Sequence, residues 1–409
     1  MYKNYMINKK KILILGGGHE QLPGIKTAKN LGVITIVVDK NKDCLGKKHA
    51  NKFYNISTND FKNIYKIAKK ENINAIVTFA SELPLKIISK VCKKMNFPNL
   101  EEKVIENVIN KSKSKKLFLK NNIPHVKGHS FNFNEKKNIL SLLNNNKKNT
   151  YIIKPSNSYG QKGISLIPNL DNIKDIIDNA YSFSTEKKVV LEKYESGKEI
   201  NLVGIVYKGR VKIVSISKRV TDHKLSFGIA FKHISPFKLP KKNYLKIKKI
   251  TEKIVKVFRI DNTVIYFQFL YNSGSFKVIE IATRSPGGFM YELSKMTSNF
   301  DILKFTILNA LRSPMPMESS KIITKKYKNL VIKFFTKFDF NNYKRFKIIN
   351  LRAIQKMNGF IKLIIFSNKI IPLVSSSGRN GALFVTGKNL KQCNINLNRI
   401  LKKIKFSYS

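Results

Sequence analysis

VIYFQFLYNSGSFKVIEIATRSPGG, Val264 to Gly288, reads as a β-hairpin that ends in charge. Val264 to Leu270 is an apolar run, Asn272-Ser273-Gly274 a turn, and the stretch from Val278 a second apolar run carrying Glu280. Gln268 and Glu280 then occupy neighbouring strands of one hairpin. Arg284 follows Glu280 by four residues, with Gly287 and Gly288 just beyond. A carboxylate that can hold a metal, a guanidinium that can hold an anion and a flexible turn, packed this tightly, suggest a site where a phosphate meets a second negative group.

Working outward, Tyr151 to Lys154 (YIIK) is a strand, followed by SNSYGQKG and a second strand, Ile164 to Ile167. The glycine-containing loop between them can fold its backbone over phosphates with Lys154 as a point charge below; a plain hairpin turn is the alternative. No GxxxxGK[ST] occurs, so a P-loop fold is not supported. Val189 to Tyr194 is an apolar strand carrying Glu192 and Lys193, and Glu199 follows the break at Ser196-Gly197. Ile200 to Tyr207 and Val211 to Ser217 pair across Lys208-Gly209, and a helix over Tyr244 to Phe258 precedes the hairpin. Upstream, Lys111 to Pro124 (KSKSKKLFLKNNIP) has helical periodicity with several lysines on one side, which by itself reads as a solvated basic helix.

The first 110 residues alternate strand and helix: KILIL (Lys11 to Leu15), three glycines, a helix through Leu31, then VITIVV (Val33 to Val38) ending in Asp39. That is the order of a dinucleotide-binding βαβ unit, yet GGGHEQLPG lacks the GxGxxG spacing, so a packing turn or a different ligand is the better reading. A helix over Asp60 to Glu71 leads into the strand Ala75 to Phe79. Glu82 lies beyond that strand's carboxyl end, where ligands gather on parallel sheets; a helix-starting acid is the alternative.

The net charge of +53 comes from lysines spread along the whole chain, accompanied by abundant Asn and Ile. Those three residues share A- and T-rich codons, and no basic run is interleaved with aromatics, so no nucleic-acid partner is expected. Anionic small molecules would still be attracted. Cys44, Cys92 and Cys393 are far apart and lack CxxC spacing, which argues against a disulfide framework and a zinc site and for a reducing cytoplasm. No run of 18 apolar residues occurs, so no membrane span is expected.

Taken in order, these segments resemble the ATP-grasp enzymes, a superfamily that includes D-alanine ligase, biotin carboxylase, carbamoyl-phosphate synthetase and the L-amino-acid ligases. NKSKSKKLFLKNNIP is similar to the segment carrying the first nucleotide-binding lysine, which makes Lys111 that residue. IIKPSNSYGQKGI is similar to the strand and glycine-rich loop that close over ATP, so Lys154, Ser158, Gly160 and Gly163 are implied phosphate contacts. LEKYESGKEI is similar to the adenine hinge, which implies Glu192, Lys193 and Tyr194 at the base edge and Glu199 at the ribose hydroxyls. FQFL with IEIATR matches the metal hairpin, implying Gln268 and Glu280 as magnesium ligands, with manganese able to substitute. The chain departs from the pattern at Gln268, where many members carry an acid, and at Ala282, where many carry Asn.

The resemblance implies a mixed α/β and α+β architecture: a Rossmann-like domain over 1–110, an ATP-grasp domain of two α+β lobes over 111–316 with its lid at about 122–191, and a small β-rich domain over 317–409. Strands are expected in that last part at Asn329 to Phe335, Phe360 to Phe366, Ile370 to Val374 and Ala382 to Thr386, then a Lys-rich helix. The implied activity is ADP-forming coupling of a small-molecule carboxylate, activated as an acylphosphate, to an amine. Arg284 would face the acyl group, a structural ion pair with Glu280 being the alternative, and Lys154 would act at the phosphates. Lys218 to Pro236 falls where the family places a variable substrate loop; Lys218 or Arg219 would assist the γ-phosphate, while His223 and His233 read better as solvated or packing residues than as bases. Amino acids are candidate substrates, and a cytoplasmic enzyme, with a homodimer allowed, fits the resemblance. The alternatives are phosphoryl transfer or carboxylation without amide formation, and a nucleotide-binding protein with impaired catalysis.

Overall fold

The computed structural model describes residues 9–222, 225–313, 329–340 and 343–408. The amino-terminal strands β1 (Lys11–Leu15), β2 (Ile34–Val38), β3 (Lys52–Tyr54) and β4 (Ala75–Val77) form a parallel sheet in the order β3-β2-β1-β4. Near-continuous apolar runs such as KILIL are what a parallel sheet covered on both faces requires. One face packs Leu13, Leu15, Ile36 and Val38 against Ile64, Ile67 and Val91. The other packs Ile12, Ile14 and Val77 against Ile25 and against Ile307, Leu308 and Leu311 from far along the chain. Helix Ile302–Ala310 thus lies against both this sheet and the central one, and brings the βα turns of the first region to the end of the hairpin.

A second, antiparallel sheet contains β5 (Gly128–Asn132), β6 (Tyr151–Pro155), β7 (Ser165–Ile167) and β8 (Lys188–Lys193), in the order β5-β8-β6-β7. Helices Lys136–Asn144 and Ile173–Ser182 give it a core of its own, including Ile139, Leu143, Ile153, Ile177 and Tyr181. Its entry strand segment is tied to the hairpin through Val126 N–H on Val278 O, 3.2 Å, and Val278 N–H on Pro124 O, 2.9 Å.

Among the described residues the central sheet has eight strands: β9 (Lys198–Tyr207), β10 (Arg210–Asp222), β11 (Ser226–Ser235), β12 (Thr263–Asn272), β13 (Ser275–Ala282), β14 (Leu330–Phe335), β16 (Phe360–Ile365) and β17 (Gly381–Thr386), while β15 (Phe346–Ile348) pairs with β18 (Phe406–Tyr408). Their order is β13-β12-β9-β10-β11-β14-β17-β16. The carboxyl-terminal strands therefore continue the central sheet through β11 and β14 pairing, with helix Leu390–Lys403 packed behind them. Two expectations are corrected here. Ile370–Val374 forms no strand, because Pro372 removes a ladder donor and the segment runs as an irregular loop. Lys218 to Pro236 is not a loop: Lys218 to Asp222 and Ser226 to Ser235 are paired strands, and His223 lies outside the described residues.

The hairpin β12–β13 turns at Ser273-Gly274, with φ values of +45° and +83°, a turn that suits glycine at its second position. Its register pairs Gln268 with Glu280 and Phe269 with Val278, so Ile279 is a bulge. Strand alternation alone would put Val278 and Ile281 on opposite faces; the extra residue lets both pack in the core while Ile279 and Glu280 both line the cavity. Phe267, Phe269 and Phe276 are fully buried against Ile247, Ile254 and Phe258 of helix Lys241–Phe258. Each contributes about 1.5–3 kcal/mol by burial, which anchors the face that carries the site. No helix among the described residues is long and apolar enough to cross a membrane. The three cysteines are buried and free.

Candidate active site

The exposed face of the central sheet is the floor of two adjoining cavities. One, of about 450 Å³, lies beneath the β5–β8 sheet. The other, of about 360 Å³, extends towards the first region and the segment Ser375–Arg379. Lys111, Gln161, Arg219, Gln268 and Glu280 border both.

In the first cavity Glu192 is buried between two lysines, with Lys115 at 2.8 Å and Lys154 at 2.5 Å. Burial raises the Glu192 carboxyl, but the two ammonium groups outweigh it and hold the group below the usual carboxylate range. Burial lowers the Lys115 ammonium, with Glu192 opposing. Tyr194 and Glu199 line the same cavity with Lys111 and Lys154. Lys193 does not: its side chain is exposed, because adjacent residues of a strand point to opposite faces, and its backbone N–H donates to Lys127 O at 3.2 Å.

Lys111 is the first residue of helix Lys111–Lys120, whose cap is the Asn110 side chain accepting from Lys113 N–H. Its backbone N–H donates to Ser156 O at 2.8 Å and its ammonium to Ser158 O at 3.0 Å, so the basic helix holds the glycine loop by the shoulder. Gly160 and Gly163 adopt φ of +66° and +70°. At Gly163 a Cβ would stand 2.8 Å from Pro155, so glycine is required there. Ser158 and Gly160 border the second cavity, whereas Gly163 borders neither.

Asn201, Gln268 and Glu280 form one row across β9, β12 and β13. Gln268 donates Nε2–H to Glu199 at 2.6 Å, which turns its carbonyl oxygen away as the ligating atom. Glu199 is itself bound by Arg219 Nη1 at 2.5 Å. Glu280 is about a third exposed and stands 3.7 Å from Lys111. One carboxylate, an amide carbonyl and a partner phosphate form the hard-oxygen set that magnesium takes, so these residues fit one such ion. Among the described residues no cluster of three or more His, Cys, Asp or Glu side chains could hold a metal unaided.

Arg284 borders the second cavity and donates Nη2–H to Glu82 at 2.7 Å; its ion pair is thus with the acid beyond β4, not with Glu280. Burial raises Glu82, with Arg284 opposing. Three further residues were not singled out by the sequence. Lys115 is the second ammonium group on Glu192. Glu20, from GGGHEQLPG, accepts the Gly288 N–H at 3.1 Å. Arg379 is buried against Phe334, 3.9 Å from its ring. His233, expected in a solvated or packing role, is buried at the cavity wall and edge-on to the same ring. Only the helical spacing of Lys111 and Lys115 offered a local signal; Glu20 and Arg379 arrive through tertiary packing.

Residues 109–286 match the family model of the phosphoribosylglycinamide synthetase ATP-grasp (A) domain. The carbamoyl phosphate synthase large chain of Clostridium acetobutylicum is 22% identical over 301 residues, 69% of this chain and 28% of that one. The chain therefore spans well under a third of that relative's length. Among solved structures, the L-amino acid ligase of Bacillus licheniformis superposes with a TM-score of 0.81 at 17% identity, covering 98% of this chain and 99% of the other. Phosphoribosylglycinamide synthetase from Anaerococcus prevotii gives 0.75 at 19% identity over 98% and 100%. The fold is that of ATP-grasp proteins. Within it, residues 109–286 are similar to the ATP-grasp domain of that family model.

Proposed function

We propose that this protein is an ADP-forming ligase that activates a small-molecule carboxylate as an acylphosphate and couples it to an amine. The observation that carries this reading is the junction of the two cavities at Lys111, Gln268 and Glu280. A nucleotide in the larger cavity would deliver its terminal phosphate there, and a carboxylate in the smaller one would meet it. Volumes of about 450 and 360 Å³ suit a nucleotide and small organic substrates.

Lys154 and Lys111, with Ser158 and Gly160 of the loop, are the groups to bind phosphate oxygens; Gly163 permits the loop's course. Ile152, Glu192, Tyr194 and the backbone at Lys193 would border the base, and Glu199 the ribose. Gln268 and Glu280 would hold magnesium or manganese, which when bound would neutralise phosphate charge. Arg284 would hold the acyl group: its Nε is buried without a hydrogen-bond partner while Nη2 is committed to Glu82. Such transfer depends on positioning and charge neutralisation more than on covalent help from the protein. The γ-phosphoryl group would pass to a carboxylate oxygen, releasing ADP, and the amine would then attack the acyl carbon and expel phosphate.

The same reading divides the chain into units over 1–110, 111–316 and 317–409, with the lid at about 122–191. Free buried cysteines favour a reducing compartment such as the cytoplasm. Phosphate release from ATP across a panel of carboxylic acids, with and without amines, tests the activity. Release that requires both supports the ligase; release with acid alone means phosphoryl transfer instead, and retained ATP binding without turnover would sink the catalytic reading.

A further inference from the structure

The second cavity ends in a buried guanidinium, Arg379, that is held in no salt bridge among the described residues. Arg379 is buried, donates Nη2–H to Ala230 O at 2.9 Å, and stacks on Phe334. Its Nε has no hydrogen-bond partner, and none of the carboxylates of the described residues stands within ion-pair distance of it. Glu20 acts on it only from beyond that distance, so the guanidinium keeps donor groups free for an anion that enters the cavity. Burial pulls the Arg379 pKa down to about 10, which still leaves it charged at neutral pH.

His233 sits beside it. Asn201 Nδ2–H donates to His233 Nδ1 at 3.3 Å, while Asn201 Oδ1 accepts from the Tyr266 hydroxyl at 2.8 Å. With Nδ1 accepting, the proton of the neutral ring is on Nε2. Burial, then Arg379 and Arg219, hold the ring well below its usual pKa, so it is a neutral donor and not a base. A Cβ on Gly288 would lie 3.3 Å from His233 Nε2 and 3.5 Å from Arg379 Nη1, so the glycine keeps open the space that both donors face. On the other side of that space Glu20 accepts the Gly288 N–H and lines the same cavity.

We propose that Arg379 and the Nε2–H of His233 clamp the carboxylate of the amine substrate, and that Glu20 receives its amino group, which makes that substrate an α-amino acid. This rests on the ligase reading for which substrate is the nucleophile. One guanidinium and one neutral donor match a carboxylate's single charge, whereas a phosphate ester would call for more. The clamp is distinct from Arg284, which is tied to Glu82, and on this reading the activated carboxylate and the clamped one belong to different molecules.

The test is thermal unfolding of the full-length protein with Mg-ADP and, separately, a pool of L-amino acids, the matching decarboxylated amines, and aminoalkyl phosphates. Amino acids alone are expected to raise the melting temperature. Arg379→Met should weaken their binding about 30-fold, and Arg379→Lys less; His233→Phe should cost about tenfold, while His233→Gln, which keeps a donor, stays within about threefold. Equal stabilisation by amines or aminoalkyl phosphates, or by none of the three pools, overturns the clamp, whatever the variants do. Phosphate release measured on the same pools separates the two ideas. Amino-acid binding without acid-dependent release leaves the clamp and removes the ligase, whereas release that runs equally well with decarboxylated amines leaves the ligase and removes the clamp.

Discussion

The two cavities share Lys111, Gln268 and Glu280 but are built in opposite ways. Around the first cavity each of these buried charges has a partner within the protein: Glu192 lies between Lys115 and Lys154, and Glu199 between Arg219 and Gln268. On the far side Arg379 forms no salt bridge among the described residues, Glu20 acting on it only at longer range, and Arg284 has an idle Nε. A closed network holds a shape ready for a ligand whose recognition is largely apolar and backbone-mediated. An open one needs the ligand to complete it. On the proposed reading, the first cavity is the fixed half of the site and the second the half where substrate identity would be read.

The largest effect should come at the junction. Glu280→Gln removes the one acidic ligand of the metal row and is expected to lower phosphate release at least about a hundredfold, with the thermal transition unchanged. A fully active variant would remove Glu280 from the mechanism. Next, Glu192→Gln leaves two buried ammonium groups facing each other and should destabilise the protein by about 3–5 kcal/mol in denaturant unfolding. This effect has a pH signature. Glu192 is held below its unfolded value, so its stabilisation is present above the ordinary carboxylate range, near pH 4.3, and is lost as pH falls through the folded value. The gap between wild type and variant should therefore close in acid; a gap constant down to pH 2 would contradict the closed network. Gly163→Ala forces a Cβ to 2.8 Å from Pro155 at a φ of +70°, and is expected to cost about 1–3 kcal/mol and to weaken nucleotide binding in calorimetry. Val374→Ser, at a residue 78% exposed beside the second cavity's rim, should change stability by less than about 0.5 kcal/mol.

The same contrast explains what the sequence disclosed. The nucleotide side is assembled from residues that sit within short, patterned segments: YIIK before a glycine loop, LEKY before a break, FQFL facing IEIA. Period-2 apolar runs with turn residues between them report strands and their partners directly, and the turn at Ser273-Gly274 places Gln268 and Glu280 on neighbouring strands, although their direct pairing needs one extra residue. The bulge at Ile279 was hidden, because an extra residue in VIEI looks like ordinary apolar sequence. The far side is drawn from Glu20, Glu82, His233 and Arg379, four segments with no shared period or spacing. Only the packing of helix Ile302–Ala310 against the first sheet and the continuation of the central sheet through β14 and β17 bring them together. A strand's own pattern does not say which sheet it joins, so the pairing of β14 with β11 of the central sheet was not legible. For the same reason His233, on a paired strand, read as a loop residue.

The most direct test of the account follows the oxygen atoms. With the carboxylic acid labelled with oxygen-18 in its carboxyl group, activation as an acylphosphate and expulsion of phosphate by the amine must carry one labelled oxygen into each inorganic phosphate released. The account predicts that transfer in step with amide formation; amide formed with unlabelled phosphate would contradict it.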